Sequence, residues 1–316
     1  MHSLRTGGRL FKKGRILSKA DLEALENTGV VSVIAARLET GDVPEDIAAT
    51  RIAEAFAGPG TRLSAAFTGR TNLYAAQAGL VVFDPAVVDA VNSIDESVTL
   101  ATLSPYAAVS PGEMLATIKI IPFAAPEAAV AGAVEAARRQ TIFVAPFRAK
   151  RVALISTQLP GQKPVLLDKN RSALEARLGP LGGSIVFERR IGHAAQAVAA
   201  ALHEAEREKP DLLFVFGASA ITDRRDVIPA GIVSAGGAIS HFGMPVDPGN
   251  LLLLAELRGR SVVGLPSCAR SPKVNGFDFV LQRLFAELPV GSAEIMRMGV
   301  GGLLQEIPSR PQPRDV

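Results

Sequence analysis

The sequence predicts an α/β protein: a three-layer αβα arrangement with a mostly parallel sheet in the C-terminal half, preceded by an α+β N-terminal domain. Two observations carry this. From residue 151 onward, short apolar runs alternate with helical patterns, the order expected of parallel βαβ units. The runs Val152–Ser156 and Leu212–Phe216 are apolar almost throughout, as strands covered on both faces are.

In that second half, Val152–Ser156 reads as a strand and Asn170–Leu178 as a helix with Leu174 and Leu178 one turn apart. Ser184–Phe187 is strand-like, and Gly182 and Gly183 stop the preceding helix. Ala194–Glu208 is an alanine-rich helix ended by Pro210, and Leu212–Phe216 is the next strand. Val227–Ala235 is helical and Ala238–Phe242 a short strand. Leu251–Leu257 and Ser261–Gly264 flank Arg258-Gly259-Arg260 and read as a hairpin. Asn275–Leu288 is the closing helix.

The first half is less regular. Helices are expected over Asp21–Asn27, Pro44–Ala57, Thr71–Ala78, Asp84–Asn92 and Pro126–Arg139. Strands are expected over Val30–Ala35, Val98–Leu103 and Met114–Ile121. The expected organisation is an N-terminal domain over 1–147, an α/β domain over 148–290 and a Gly/Pro-rich tail over 291–316 that reads as a linker or surface strap.

Hydrophobic content of 48% and charged content of 21% are those of a folded globular protein. A net charge of +3 is too mild for nucleic acid, and the basic run Arg5–Arg15 holds a single aromatic, Phe11, so no stacking platform for bases exists there. One cysteine, Cys268, excludes an intramolecular disulfide and suits a reducing compartment. The N-terminus lacks an apolar signal core, and no uncharged apolar run reaches roughly 18 residues. A cytoplasmic protein with no membrane partner is expected.

Four segments follow predicted strands and can converge in one crevice. These are Thr157–Asn170, Gly217–Asp226, Asp247–Asn250 and Gly264–Gly276. The second is the most informative: Phe214–Phe216 stops abruptly in Gly217-Ala218-Ser219-Ala220, then meets Asp223, Arg224, Arg225 and Asp226. Small residues let a ligand approach the backbone, and a strand-to-helix turn presents free N–H groups to an anion. Carboxylates such as Asp168, Asp223 and Asp226 can hold Mg²⁺ together with phosphate oxygens. Arg270 and Lys273 can bind phosphate, and Asn170, Asn250 and Asn275 can read a heterocycle's edge. A Gly-x-x-x-x-Gly-Lys-Ser/Thr loop and a Gly-x-Gly-x-x-Gly turn are both lacking. His2, His193, His203 and His241 make no metal-ligand spacing: His193 and His203, ten residues apart on one expected helix, would be roughly 15 Å apart.

With these segments in view, Arg151–Leu288 resembles the molybdopterin-binding domain shared by molybdopterin adenylyltransferases and molybdotransferases. Gly217–Pro229 stands where that family has Gly-Gly-Thr-Gly followed by an Arg-Asp-Val-Thr-Pro-like segment. Leu167–Asn170 resembles Asp-Ser-Asn, Asp247–Asn250 resembles Lys-Pro-Gly-Lys, and Gly264–Pro272 resembles Gly-Leu-Pro-Gly-Asn-Pro. The whole chain, including Gly8–Leu25 near the start and Gly276–Leu284 near the end, resembles a narrower group of molybdopterin-binding proteins. The sequence departs from the family in three places, one of them the lip of the pocket, where Gly-Asn-Pro has become Ser267-Cys268-Ala269. Two glycines of the phosphate loop are replaced by Ala218 and Ala220, and an acidic position of the adenylyltransferases falls at Gly192.

The resemblance implies binding of molybdopterin or molybdenum cofactor. Asp226 would orient Mg²⁺ or the pterin, with Asp223 as a second catalytic candidate. Gly217, Ala218, Ser219 and Ala220 would hold the terminal phosphate, and Asp168 and Asn170 would line the pterin or dithiolene side. Pro248, Gly249 and Asn250, with Pro266, Ser267 and Cys268, would rim the pocket, and Arg270 and Lys273 would add positive charge. Nucleotidyl transfer from ATP or CTP, molybdate insertion, and non-catalytic delivery to a separate cytidylyltransferase are the implied functions, and a small-molecule sensor is the remaining one. Self-association into a homo-oligomer is implied as well.

Overall fold

The computed structural model describes residues 3–12 and 14–304; His2 and the last part of the expected tail, 305–316, lie outside them. The chain divides into two compact units, one reaching Ala145 and one starting at Pro146.

The first unit is α+β. Its four-stranded antiparallel sheet runs in the order Thr61–Leu63, Arg70–Ala75, Met114–Ile120, Val98–Thr102. Two helices, Glu45–Phe56 and Glu127–Arg138, bury alanine-rich faces in its core through Ala48, Ala49, Ala53, Ala133 and Ala137. Each follows a proline that closes a short strand, and those strands, Asp42–Pro44 and Ala124–Pro126, pair antiparallel.

Two expectations for this unit fail. Thr71–Ala78 is not a helix: Arg70–Ala75 is a strand in which Thr71, Leu73 and Ala75 are buried and Asn72 and Tyr74 are half-buried. The period-two burial of alternate residues outweighs the local alanine content. Val30–Ala35 is not a strand. Val31 and Ile34 are exposed there, and this β-branched run has no partner strand among the described residues. β-propensity acts through packing against neighbours, and here there are none.

The second unit holds a six-stranded sheet. Its strands are β1 (Arg151–Gln158), β2 (Ser184–Gly192), β3 (Leu212–Phe216), β4 (Ala238–Phe242), β5 (Leu253–Leu257) and β6 (Arg260–Leu265). The spatial order is β2-β1-β3-β6-β5-β4. The first four are mutually parallel, and only β5 is reversed against its neighbours. The β5–β6 turn is two residues, Arg258 and Gly259, both with positive φ, the backbone of a type I′ hairpin.

Helices cover both faces. On one side α1 (Val165–Leu178) and α4 (Gly276–Phe285) pack with Val152, Leu154, Phe214 and Val263. On the other, α2 (Ala195–Ala205) and α3 (Val227–Ser234) pack with Ala153, Ile155, Leu213 and Val215. Successive residues of β1 and β3 thus serve opposite cores, which is why their sequences are apolar without alternation. Phe214 meets Phe277 of α4 edge to face at 5.4 Å, and both side chains are fully buried.

The stretch expected to be a linker or surface strap packs on the unit over its described part. Ser292–Met296 forms a short helix, α5, and Ile295 and Met298 are buried in the α1/α4 core. The local glycines obscure an apolar pair at helical spacing.

β1 and β3 are adjacent, yet the helices that follow them, α1 and α3, lie on opposite faces. The carboxyl ends of these two strands therefore open a crevice at a topological switch point.

Truncating the central ring should test this core. Phe214→Ala is expected to lower the urea-unfolding free energy by about 3–5 kcal/mol, followed by circular dichroism. Val233→Ala, at a side chain 55% exposed on α3, should stay within about 0.5 kcal/mol.

Candidate functional site

Three strands meet at the switch point through one hydroxyl. Thr157, one residue before the end of β1, is buried, and its Oγ1 accepts the backbone N–H of Ala218 at 2.7 Å. The same oxygen lies 2.9 Å from His193 Nδ1, just beyond β2, and 3.3 Å from the carbonyl of Phe216 at the end of β3. The other ring nitrogen, Nε2, lies 3.0 Å from Ser219 Oγ. If the ring is neutral, one proton arrangement satisfies every contact. Thr157 accepts from Ala218 N–H and from His193 Nδ1–H, and donates to the Phe216 carbonyl. Nε2 then accepts the Ser219 hydroxyl proton. His193 was not among the residues expected at the site, because its position in the sequence carries no metal or nucleophile pattern.

The opposite side of β3 carries a cation. Arg270, in the short helical turn Ser267–Arg270 after β6, donates to the Gly217 carbonyl at 2.5 Å. Its guanidinium lies 5.9 Å from the centre of the Phe216 ring. Its Nε is buried without a hydrogen-bond partner, and burial pushes its pKa down from the usual guanidinium value. Among the described residues no carboxylate pairs with it. Ser156 Oγ is also buried without a partner, and Ser156 stands in register with Phe216. Among the described residues of this unit these are the two orphaned buried side-chain polar atoms, and both border Phe216. Each such group costs on the order of 1–3 kcal/mol, and orphans of this kind mark places where a partner belongs.

Two glycines shape the edge. A Cβ at Gly217 would sit 2.5 Å from the Ser219 carbonyl oxygen, so the loop after β3 curls tightly upon itself. Gly249 has φ +141°, and a Cβ there would sit 2.6 Å from the Gly276 nitrogen; that nitrogen donates to the Pro248 carbonyl at 2.8 Å. The segment after β6 is pinned from beneath by Arg177 of α1, a residue the sequence did not single out. Its mostly buried guanidinium pairs with Asp278 at 2.8 Å and donates to the carbonyls of Ala269, Ser271 and Lys273 at 3.1, 2.6 and 3.0 Å. Asn275 caps α4 and donates to the Lys273 carbonyl.

The remaining candidates are placed differently. α1 begins at Val165, so Asp168 and Asn170 stand on its first turns rather than in a loop. Asp168 pairs with Arg190 of β2 at 2.7 Å and Asn170 is buried. Asp223 accepts from Arg225 through backbone and side chain. Asp226 Oδ2 accepts from the backbone N–H of Thr222 and Asp223 at 2.6 and 3.0 Å and lies 3.2 Å from Thr222 Oγ1. These amides hold its carboxyl below the usual range. Ala220, Asn250, Ser267 and Lys273 are exposed, Cys268 is half-buried and Pro266 is buried. Among the described residues no hydrogen bond or ion pair joins the side chains of Asp223, Asp226, Asn250 or Lys273 to Ser219 or Arg270, and no group of three His, Cys, Asp or Glu side chains could hold a metal.

Two clefts of about 500 and 580 Å³ lie in the first unit. Two arginines lining them are paired, Arg15 with Asp21 and Arg51 with Glu127. The convergence of the Thr157 hydroxyl, the His193 imidazole, Ser219 and the Arg270 guanidinium at the β1–β3 edge makes that edge the candidate site.

No family model matches the chain, and no curated protein does. Among solved structures, it is similar to the molybdopterin biosynthesis MoeA protein from Pyrococcus horikosii, at 16% identity over 78% of this chain and 79% of that one, with a TM-score of 0.34. It is also similar to the CinA protein of unknown function from Thermoplasma acidophilum, at 14% identity over 39% of this chain and 90% of that one, with a TM-score of 0.30. At these TM-scores neither likeness bears on function. No helix among the described residues is long and apolar enough to cross a membrane.

Arg177→Met should destabilise the protein by about 3 kcal/mol or more, because Asp278 and three carbonyls lose their donor in a mostly buried place, and hydrogen exchange should quicken over 267–273. A second expectation concerns acid. A carboxyl whose pKa is depressed on folding contributes stability that is present above its unfolded value and lost as pH falls through the folded one. The amide proton shifts of Thr222 and Asp223 should therefore hold steady down to about pH 4, the unfolded carboxyl value, and move below it. Asp226→Asn should abolish that transition.

Proposed function

We propose that the second unit binds an anionic, phosphate-bearing small molecule at the carboxyl ends of β1 and β3, and that this ligand is molybdopterin or molybdenum cofactor. The observation that carries the anionic class is Arg270: a half-buried guanidinium whose buried Nε is orphaned, with no carboxylate partner among the described residues. A planar cation in this state is matched by phosphate oxygens. The pterin identity rests on the four segments that resemble the molybdopterin-binding domain, two of which, Gly217–Pro229 and Gly264–Pro272, hold Ser219 and Arg270.

In this reading Gly217–Ala220 and Arg270 take the terminal phosphate, Asn170 and Asp168 face the pterin side, and Pro248–Asn250 with Pro266–Cys268 rim the pocket. Lys273 attracts the anion from the surface. Mg²⁺ fits only in part. Asp223 Oδ1 is held by Arg225 and Asp226 Oδ2 by two amides, which leaves Asp223 Oδ2 and Asp226 Oδ1 as the oxygens able to meet a cation. An ion here would complete its shell with ligand phosphate and water.

That shortage of free carboxylates favours the second reading, a carrier that delivers the cofactor to a separate cytidylyltransferase. Transfer of a nucleotidyl group from ATP or CTP, or insertion of molybdate, is the enzymatic form of the same proposal. A sensor using this fold is a third form.

Anaerobic titration with molybdopterin, followed by fluorescence, tests the proposal. Saturable binding is expected, weakened at least tenfold, or about 1.4 kcal/mol, in Arg270→Gln. No binding by the intact protein would remove the cofactor reading, and unchanged affinity in the variant would move the site elsewhere. Turnover of ATP, CTP or molybdate by the loaded protein separates enzyme from carrier.

A further inference from the structure

We propose that Ser219 is a nucleophile with His193 as its base and Thr157 as the residue positioning that base, and that this edge hydrolyses an activated phosphoryl ester or anhydride. The inference goes beyond the cofactor reading and does not rest on it.

Geometry carries it. Ser219 is exposed at the crevice, while the imidazole 3.0 Å away is half-buried and the hydroxyl behind it fully buried. A nucleophile, a base within hydrogen-bond reach and a third group orienting the base are the parts of an activated serine. Three neighbouring strands supply them, β3 through its loop, β2 and β1, so no single loop movement assembles the relay by chance. The proton arrangement matters most. Thr157 Oγ1 already accepts from Ala218 N–H and has the Phe216 carbonyl to donate to. It is thereby set to accept from Nδ1–H, which turns the Nε2 lone pair toward Ser219. The proposed substrate spans the edge, its reacting phosphoryl group at Ser219 and a further anionic group at Arg270, which bonds the Gly217 carbonyl from the other side of β3 and so favours anionic over neutral substrates.

In the step, the Ser219 Oγ–phosphorus bond forms as the bond from phosphorus to the leaving oxygen breaks. The serine proton passes to Nε2 and from there to the leaving oxygen. Water then attacks phosphorus, gives its proton to Nε2, and Oγ departs with that proton. Water is the sole co-reactant.

An alkyl fluorophosphonate tests the relay on the full chain without any pterin. Oγ displaces fluoride, and the adduct is located by tandem mass spectrometry. Labelling confined to Ser219 is expected, and absent in Ser219→Ala. In His193→Ala its rate should fall at least about 100-fold, with added imidazole restoring part of it. Thr157→Val should slow labelling and Thr157→Ser should restore it. If His193→Ala fails to fold, His193→Asn is read by the same criterion. No adduct at Ser219, or an adduct formed equally fast in the folded His193 variant, would overturn the proposal. Either result leaves molybdopterin binding to be judged by its own titration.

Discussion

The carboxyl edge of the second unit depends on the hydroxyl of Thr157. A strand-to-loop turn in a parallel sheet leaves amides that the ladder no longer satisfies, and a buried amide left unpaired is costly. Thr157 Oγ1 takes the Ala218 amide, so the loop after β3 is fixed to the end of β1 instead of floating above it. The same atom turns His193 toward Ser219. A valine of equal shape would keep the packing and lose all three contacts. The order of the loop, the tautomer of the ring and the direction of the serine hydroxyl therefore share one cause.

The two faces of β3 divide the chemistry. Alternation along β1 sends Thr157 to the face of α2 and α3, and Ser156 to the face of α1 and α4. The first face carries a relay in which the Thr157, His193 and Ser219 side chains are joined by hydrogen bonds. The second carries Arg270 and Ser156, whose buried Nε and Oγ have no partners. A cation held only by a carbonyl and an aromatic ring is less stable than one paired with a carboxylate, and its lowered pKa reports that burial. Arg177 shows the contrast within the same neighbourhood. Its side chain is mostly buried and saturated by Asp278 and the loop carbonyls, and so holds structure where Arg270 is left able to meet an anion.

The sequence made part of this readable. Continuous apolar runs announced β1 and β3, and the abrupt change from Phe216 to Gly217 announced the loop between β3 and α3, since few other patterns produce that transition. Elsewhere the local signal was outvoted by packing. Thr71–Ala78 has the composition of a helix but the burial of a strand, and Val30–Ala35 has the composition of a strand without a partner to pair with. Asp168 read as a loop carboxylate because the helix start at Val165 has no side-chain cap to mark it. His193 and Arg177 were hidden for a different reason. Their roles depend on residues 36 and 101 positions away in the chain, and no spacing along the sequence encodes contacts between elements so far apart in it.

The fate of the aspartates decides what kind of site this edge can be. Asp223 and Asp226 are the carboxylates that a metal-centred reading needs, and the fold directs them to Arg225 and to the amides that open α3. A carboxylate that already accepts two backbone N–H bonds gives up those bonds to bind a metal with the same oxygen, which leaves the amides to be satisfied by something else. The loop would then loosen at the moment it was required to hold a ligand. A hydroxyl, an imidazole and a guanidinium carry no such conflict. They are fixed by contacts on one side and present a lone pair or a positive charge on the other. The arrangement therefore favours recognition of an anion by charge and hydrogen bonding, with any cation arriving as part of the ligand's own shell.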